Sequence, residues 1–456
     1  MISIAFGQMS RRPAAFAGLA VALFLAVATL TLFGGLFAAE VTASEVVRKE
    51  VVGPGVVVIA GAFGEISVLV AFFVVVNALG FAVRRQSREL ALLRTVAATP
   101  RQARRLVRGQ VVVTTMLVAV PGWAAGSAGA RLALTALQEQ GMAAPGLRVP
   151  GTPVPVLVAV AAVLAVGLTA SALAARRVSR IAPAAALAAT STDHARTGAA
   201  RLLAGAVALA GGVLLLRLAA TRPPDQIDKA GQAALLAALT LLVAVGLAGP
   251  LAARVLAAVL GGPVRVLSPG AGWLADANLR GYARRLSSAV VPVALLVGLS
   301  GTMIVMTSTA AHATGDTGTG IASATDVWLR QAELALLTGF AAVSTVNTLV
   351  AVTAERRREF ALLRLVGATR AQLLRMLAVE AGLTAAVGVL LGAVVAGAAS
   401  AAFSTAVTGS ALPQVPGGDC GWILVGAVLL TAPSILATGV WAVRGPAAEL
   451  VGGGRA

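Results

Sequence analysis

The residues able to do chemistry are few, and most of them sit in one segment that occurs twice. Residues 88–105 read RELALLRTVAATPRQARR and residues 358–375 read REFALLRLVGATRAQLLR, at a constant offset of 270. Eleven of the 18 positions are identical, among them Glu89/Glu359, Arg94/Arg364, Thr99/Thr369, Gln102/Gln372 and Arg105/Arg375. The register continues upstream without a gap and pairs Asn77 with Asn347. Outside these copies the reactive groups are sparse. His194 and His312 are far apart in sequence and read as loop residues. Neither of the two lysines, Lys49 and Lys229, lies in a glycine-rich loop, and no GxxxxGK[ST] occurs, so the chain is not its own P-loop ATPase. A single cysteine, Cys420, excludes an intrachain disulfide. No spacing suggests metal ligands or a nucleophile with its base. The expectation is a non-catalytic chain without a cofactor or metal of its own, built around a duplicated arginine-rich device.

The elements that carry this device are apolar. Of 456 residues, 58% are hydrophobic and 12% charged, far too apolar for a soluble protein of this length. A membrane crossing takes roughly 20 apolar residues. Ten such runs are expected, at about 14–38, 62–83, 111–130, 154–175, 200–219, 232–253, 287–309, 334–353, 381–403 and 421–443. Arg217 weakens the fifth and Glu65 blurs the start of the second. The first run is too long for a signal-peptide core and is expected to stay as a transmembrane helix. The net charge of +18 could suggest nucleic acid. Its distribution argues against that: with the N-terminus inside, cytoplasmic segments hold 28 of the 36 Lys and Arg residues. That asymmetry belongs to a multi-pass membrane protein with cytoplasmic termini.

Six expected spans separate the two copies, so both face the same side and the repeat is parallel rather than inverted. The sequence predicts an all-α polytopic protein with ten transmembrane helices in a 4+2+4 arrangement. Repeat one covers 1–190, a two-span hairpin 191–265, and repeat two 266–456, each repeat holding four spans. Both repeats end alike, at PAAAL (183–187) and PAAEL (446–450). Trp422 and Trp441 bracket the tenth span as an interfacial belt would. The outer segments, about 39–61 and 310–333 at the longest, are too short for a separate domain.

Within each copy, Leu90, Leu93 and Val96, or Phe360, Leu363 and Val366, recur at helical spacing. The helix leaving each even-numbered span of a repeat is therefore expected to run on into the cytoplasm. It then breaks at Ala97-Ala98-Thr99-Pro100 or Gly367-Ala368-Thr369. Threonine suits an N-cap, Pro100 the first helical position, and Gln102 or Gln372 completes a capping box. A second basic helix then feeds the next span. The expectation is a rigid elbow edged by Arg94, Arg101, Arg104 and Arg105 in one copy and by Arg364, Arg370 and Arg375 in the other. Binding anionic lipid would account for single arginines. It leaves the matched Glu, Ala, Leu and Thr positions unexplained, and a docking surface for a cytoplasmic partner explains them better.

Glu-(Phe/Leu)-Ala-Leu-Leu-Arg-x-x-Gly-Ala-Thr-x-x-Gln resembles the signature of FtsX-like permeases, the membrane subunits of MacB-type ABC transporters. The second copy is near ideal; the first has Ala97 for the glycine and carries Pro100. Asn347-Thr348 also resembles the family, where the first copy has Asn77-Ala78. The resemblance covers both repeats and says little about the hairpin. It implies a permease in the bacterial cytoplasmic membrane, served by a separate cytoplasmic P-loop ABC ATPase, two copies per chain, which uses the ATP. It implies that Glu89, Arg94, Thr99, Arg101, Gln102 and Arg105, with Glu359, Arg364, Gly367, Thr369, Gln372 and Arg375, are the ATPase-coupling residues. The large external domain common in better-known members has no counterpart here.

Ionisable residues are nearly missing from the spans; Glu65 and Glu380, both near ends, are the exceptions. Asn77 and Asn347 are expected to bond between helices. Gly122 with Gly126, and Gly388 with Gly392, have the spacing of close helix crossings. The reading favoured is outward movement, or extraction from the lipid, of an amphipathic or lipophilic cargo such as a peptide, lipid or lipoprotein. A signalling permease that regulates an external protein and an ion-coupled secondary carrier stay open as alternatives.

Overall fold

Apolar runs free of charge can satisfy their backbone in lipid only as helices or closed barrels, and a computed structural model of the chain is built of helices. It describes residues 13–45, 47, 55–85, 100–179, 199–223, 226–267, 283–313, 324–354 and 356–444, and no strand occurs among them. In chain order the helices are α1 (Pro13–Val41), α2 (Gly55–Arg85), α3 (Pro100–Glu139), α4 (Val154–Ser179), α5 (Ala199–Ala220), α6 (Ile227–Leu267), α7 (Ala283–Ala313), α8 (Ala324–Ala354), α9 (Arg357–Leu365), α10 (Arg370–Thr408) and α11 (Gly417–Arg444). The protein is all-α. Eight described helices, α1, α3 to α7, α10 and α11, are long and apolar enough to cross a membrane. The expected spans at 62–83 and 334–353 fall within α2 and α8, which are not among the eight.

The chain forms two compact units, Met1–Ser191 and Thr192–Ala456. In the first, α1 packs against α2, α3 and α4, while α4 also meets α2 and α3. In the second, α7 packs against α8, α10 and α11, while α11 also meets α8 and α10. The four long helices of each unit thus share one pattern of neighbours. The helices α5 and α6 pack on each other, and both contact α10; α6 also contacts α7. Ala219, Ala230, Ala233 and Ala234 of this pair close over Met306, Ala310, Ala402, Phe403 and Ala406. The hairpin therefore belongs to the second compact unit.

Small residues set the closest crossings. A side-chain carbon at Gly392 would lie 2.8 Å from the Ala294 carbonyl oxygen and 2.8 Å from Val297 Cβ, so α10 can approach α7 only through a glycine there. Its repeat-one counterpart, Gly122, would meet Val27 Cγ1 at 2.9 Å across the α1–α3 crossing. Polar threads supplement this packing, since unsatisfied polar groups are costly among apolar helices. The Ser300 and Thr338 hydroxyls lie 2.8 Å apart, and Thr345 Oγ1 donates to the Pro292 carbonyl at 3.0 Å. Both join α7 to α8. At the far end of α1, Glu40 Oε2 accepts from the Val57 N–H at 2.8 Å and caps α2.

Candidate functional site: the α8–α9–α10 elbow

The arginine-rich segment of repeat two lies between Ala354 and the body of α10. Its shape differs from the expected continuous extension of the preceding helix. The helix α8 ends at Ala354, a turn follows at Arg356, and α9 starts afresh at Arg357. The Arg356 N–H donates to the Thr353 carbonyl at 3.1 Å, and the Arg356 carbonyl accepts the first bond of α9 from the Phe360 N–H at 3.0 Å. At this interruption the Arg356 side chain is buried.

Arg356 is clasped on three sides. Its Nη1 donates to Glu380 Oε2 on α10 at 2.6 Å, and its Nη2 lies 3.3 Å from Glu359 Oε1 on α9. The guanidinium also lies 4.8 Å from the centroid of the Phe360 ring. Burial alone lowers the pKa of such a guanidinium; the Glu380 and Glu359 carboxylates outweigh that and hold it above the ordinary arginine value. The stability this raised pKa contributes is fully present below the unfolded-state pKa. It is lost only as pH rises through the still higher folded value, so the Arg356 guanidinium stays charged across any working pH. Removing one partner of a buried ion pair costs about 3–5 kcal/mol, because the other charge is left stranded.

At its other end α9 closes with a Schellman turn. The Ala368 N–H donates to the Leu363 carbonyl at 3.0 Å and the Gly367 N–H to the Arg364 carbonyl at 3.1 Å. Gly367 sits at φ +102, a conformation that disfavours any side chain. Thr369 then caps α10 as expected. Its hydroxyl accepts from the Gln372 N–H at 3.2 Å, and the Gln372 side-chain oxygen accepts from the Thr369 N–H at 2.9 Å. From this cap α10 runs unbroken for 39 residues, about 58 Å, roughly twice a bilayer core. Its first eleven residues, Arg370–Glu380, precede the expected span.

The elbow is also pinned sideways to the end of α11. Arg364 Nη1 donates to the Val443 carbonyl at 2.8 Å. The guanidinium of Arg357 lies 4.9 Å from the Trp441 ring centroid. One expectation is thereby corrected: Arg364 is turned inward onto α11 rather than edging the elbow. Glu359 points at Arg356 within the elbow. The groups left facing outward are Arg358, Leu362, Leu365, Val366, Gly367, Thr369, Arg370, Ala371, Gln372 and Arg375. Val366, at the tip, is 89% exposed.

Of the first copy, Glu89, Arg94 and Thr99 lie outside the described residues. Pro100 is the first residue of α3, as an N1 proline should be. Gln102 and Arg105 are exposed in the first turns of α3; Arg101 lies in the same turns. Asn77 lies in α2, and Asn347 is half-buried in α8, engaged rather than free. Among the described residues no group of three or more potential metal ligands gathers.

Sequence pattern alone marks Glu380 only as an ionisable residue near the end of a span and does not single out Arg356. The offset of 270 carries the missing signal: Arg356 and Glu380 match Gln86 and Gln110. Both members change together from a charge pair to an amide pair.

A family model described as FtsX-like permease C-terminal matches residues 61–183 and 333–445, more than half of the chain, and each match contains one copy of the duplicated segment. A comparison with curated proteins finds no match.

Proposed function

This chain belongs to the FtsX-like permease family and is thus a membrane permease subunit of an ABC transporter; from that premise we propose that its two elbows are the seats of two copies of a cytoplasmic P-loop ATPase. The observation that carries this reading is the tip of the second elbow. Leu362, Leu365 and Val366 are exposed there, flanked by Arg358 and Arg370. A small apolar knob with a cationic rim has the composition of an interface core and its edge. The elbow is also stiff enough to carry load. It is capped at both sides of the break, pinned to α11, and continuous with α10.

In this reading ATP binding closes the ATPase pair and draws on both elbows. The displacement passes along α3 and α10, each a single helix from elbow to far end. The chain crosses the bacterial cytoplasmic membrane ten times, with both termini and both elbows inside. Its cargo is amphipathic or lipophilic, drawn from the lipid and moved outward. The scarcity of ionisable groups in the spans favours energy supplied by the ATPase over an ion gradient.

The test is capture of an ATPase by the tagged permease from its native membrane in mild detergent, for the parent chain and for Val366→Asp. Val366 packs against little, so the substitution leaves the fold intact. The expected outcome is a stoichiometric P-loop ATPase with the parent chain and at least a tenfold loss, about 1.4 kcal/mol, with the variant. Equal capture by both would move the seat elsewhere.

A further inference from the structure

The two copies of the segment share one repeat, yet their sequences differ where the second copy is most tightly held. Arg356 and Glu380 tie the start of α9 to α10 from positions almost shielded from solvent, 4% and 8% exposed. At the matched positions repeat one has Gln86 and Gln110, while the third member of the cluster, Glu359, is retained as Glu89. Gln110 is likewise buried, on α3. The change is coordinated. A lone Gln for Arg356 would leave two carboxylates facing each other, and a lone Gln for Glu380 would leave the arginine half paired. Changing both avoids either fault, as expected where two groups serve one purpose.

We propose that Arg356 and Glu380 form a positioning pair that fixes the angle of α9 on α10, and that an amide pair, the combination found at the matched positions of repeat one, can stand in for it whereas either single exchange cannot. The pair is too buried to touch a partner. It acts through Phe360 and Glu359, whose place on α9 sets where Leu362 and Val366 project. The ATPase part of this inference rests on the docking reading above; the positioning part does not. The second seat is held by an ion pair that water and salt reach poorly, so its geometry is insensitive to ionic strength. A surface ion pair would loosen in salt.

The experiment reads geometry first and capture second. Spin labels are placed at Arg358→Cys on α9 and Ala378→Cys on α10, both exposed, in a Cys420→Ser background. The label-to-label distance is measured in lipid nanodiscs without ATPase. The unsubstituted elbow gives one narrow distance, unchanged between low and high salt. Arg356→Gln broadens or shifts it, Glu380→Gln does so less because Glu359 still pairs with the arginine, and the double variant Arg356→Gln/Glu380→Gln restores it. Capture of the ATPase follows the same order: a loss of roughly tenfold or more for Arg356→Gln, and recovery to within about threefold of the parent for the double variant. Should Arg356→Gln not fold, Glu380→Gln against the double variant carries the comparison. A distance untouched by either single substitution overturns the proposal, as does a double variant as disordered as the worse single. If the parent chain captures no ATPase, the docking reading fails, and the distances still decide the positioning pair.

Discussion

At the scale of single residues, the elbow depends on a few side chains whose environments differ sharply. Gly367 is the clearest. At φ +102 a side chain is strained whatever the room around it, and nothing crowds this position. Gly367→Val is expected to cost about 1–2 kcal/mol of local stability, seen as faster protease cleavage between Leu365 and Arg370 in the detergent-solubilised protein. Cleavage at the parent rate would show that the turn does not hold this conformation in solution. The glycine was legible in the sequence, because a break was required between two helical patterns. Arg356 was not, because a single arginine in a run of three gives no hint of which one turns inward. Only the paired exchange against Gln86 and Gln110 separates it from Arg357 and Arg358.

At the scale of elements, local chemistry and packing made unequal marks on the chain. The α10 start was readable to the residue, because a capping box is a contiguous code of threonine and glutamine three apart. Thr369→Ala is expected to destabilise the first turn by about 1 kcal/mol and Thr369→Ser to leave it nearly unchanged; amide exchange of the Ala371 and Gln372 N–H groups reports both. Equal protection in the alanine variant would mean that the start of α10 is held by α11 alone. The interruption between α8 and α9 was not readable, since the carboxylate that holds Arg356 there lies 24 residues away at Glu380. Crossings fall between these cases. The Gly388 and Gly392 spacing pointed at a close approach, without naming α7 as the partner. Gly392→Leu is expected to force α7 and α10 apart and cost about 1–3 kcal/mol, read as a lower unfolding temperature in detergent; an unchanged temperature would show that the crossing yields freely.

At the scale of the whole molecule, hydropathy revealed the all-α membrane class, and the duplication revealed its internal likeness. The place of the hairpin was illegible. It packs on α7 and α10 through alanines and glycines, and in so alanine-rich a chain a packed face and a lipid-facing one read alike. The proposed ten crossings, with both elbows inside, lead to a labelling pattern. In intact cells a membrane-impermeant maleimide is expected to react with Cys420, half-buried at the start of α11. A cysteine at Val366 in the Cys420→Ser background should stay unlabelled until the cells are opened. The reverse pattern would invert the topology and remove the elbows from any cytoplasmic ATPase.

The exposed tip has a cost before any transport begins. On the proposed docking, a permease made without its partner would show the cytoplasm an uncovered oily knuckle at Leu362, Leu365 and Val366, the kind of surface by which proteolytic surveillance sorts orphan subunits. Its lifetime should therefore follow the supply of ATPase: short when the ATPase is depleted, longer when it is in excess, and independent of it in Val366→Asp. By this reckoning the coupling tip also matches the abundance of one subunit to the other.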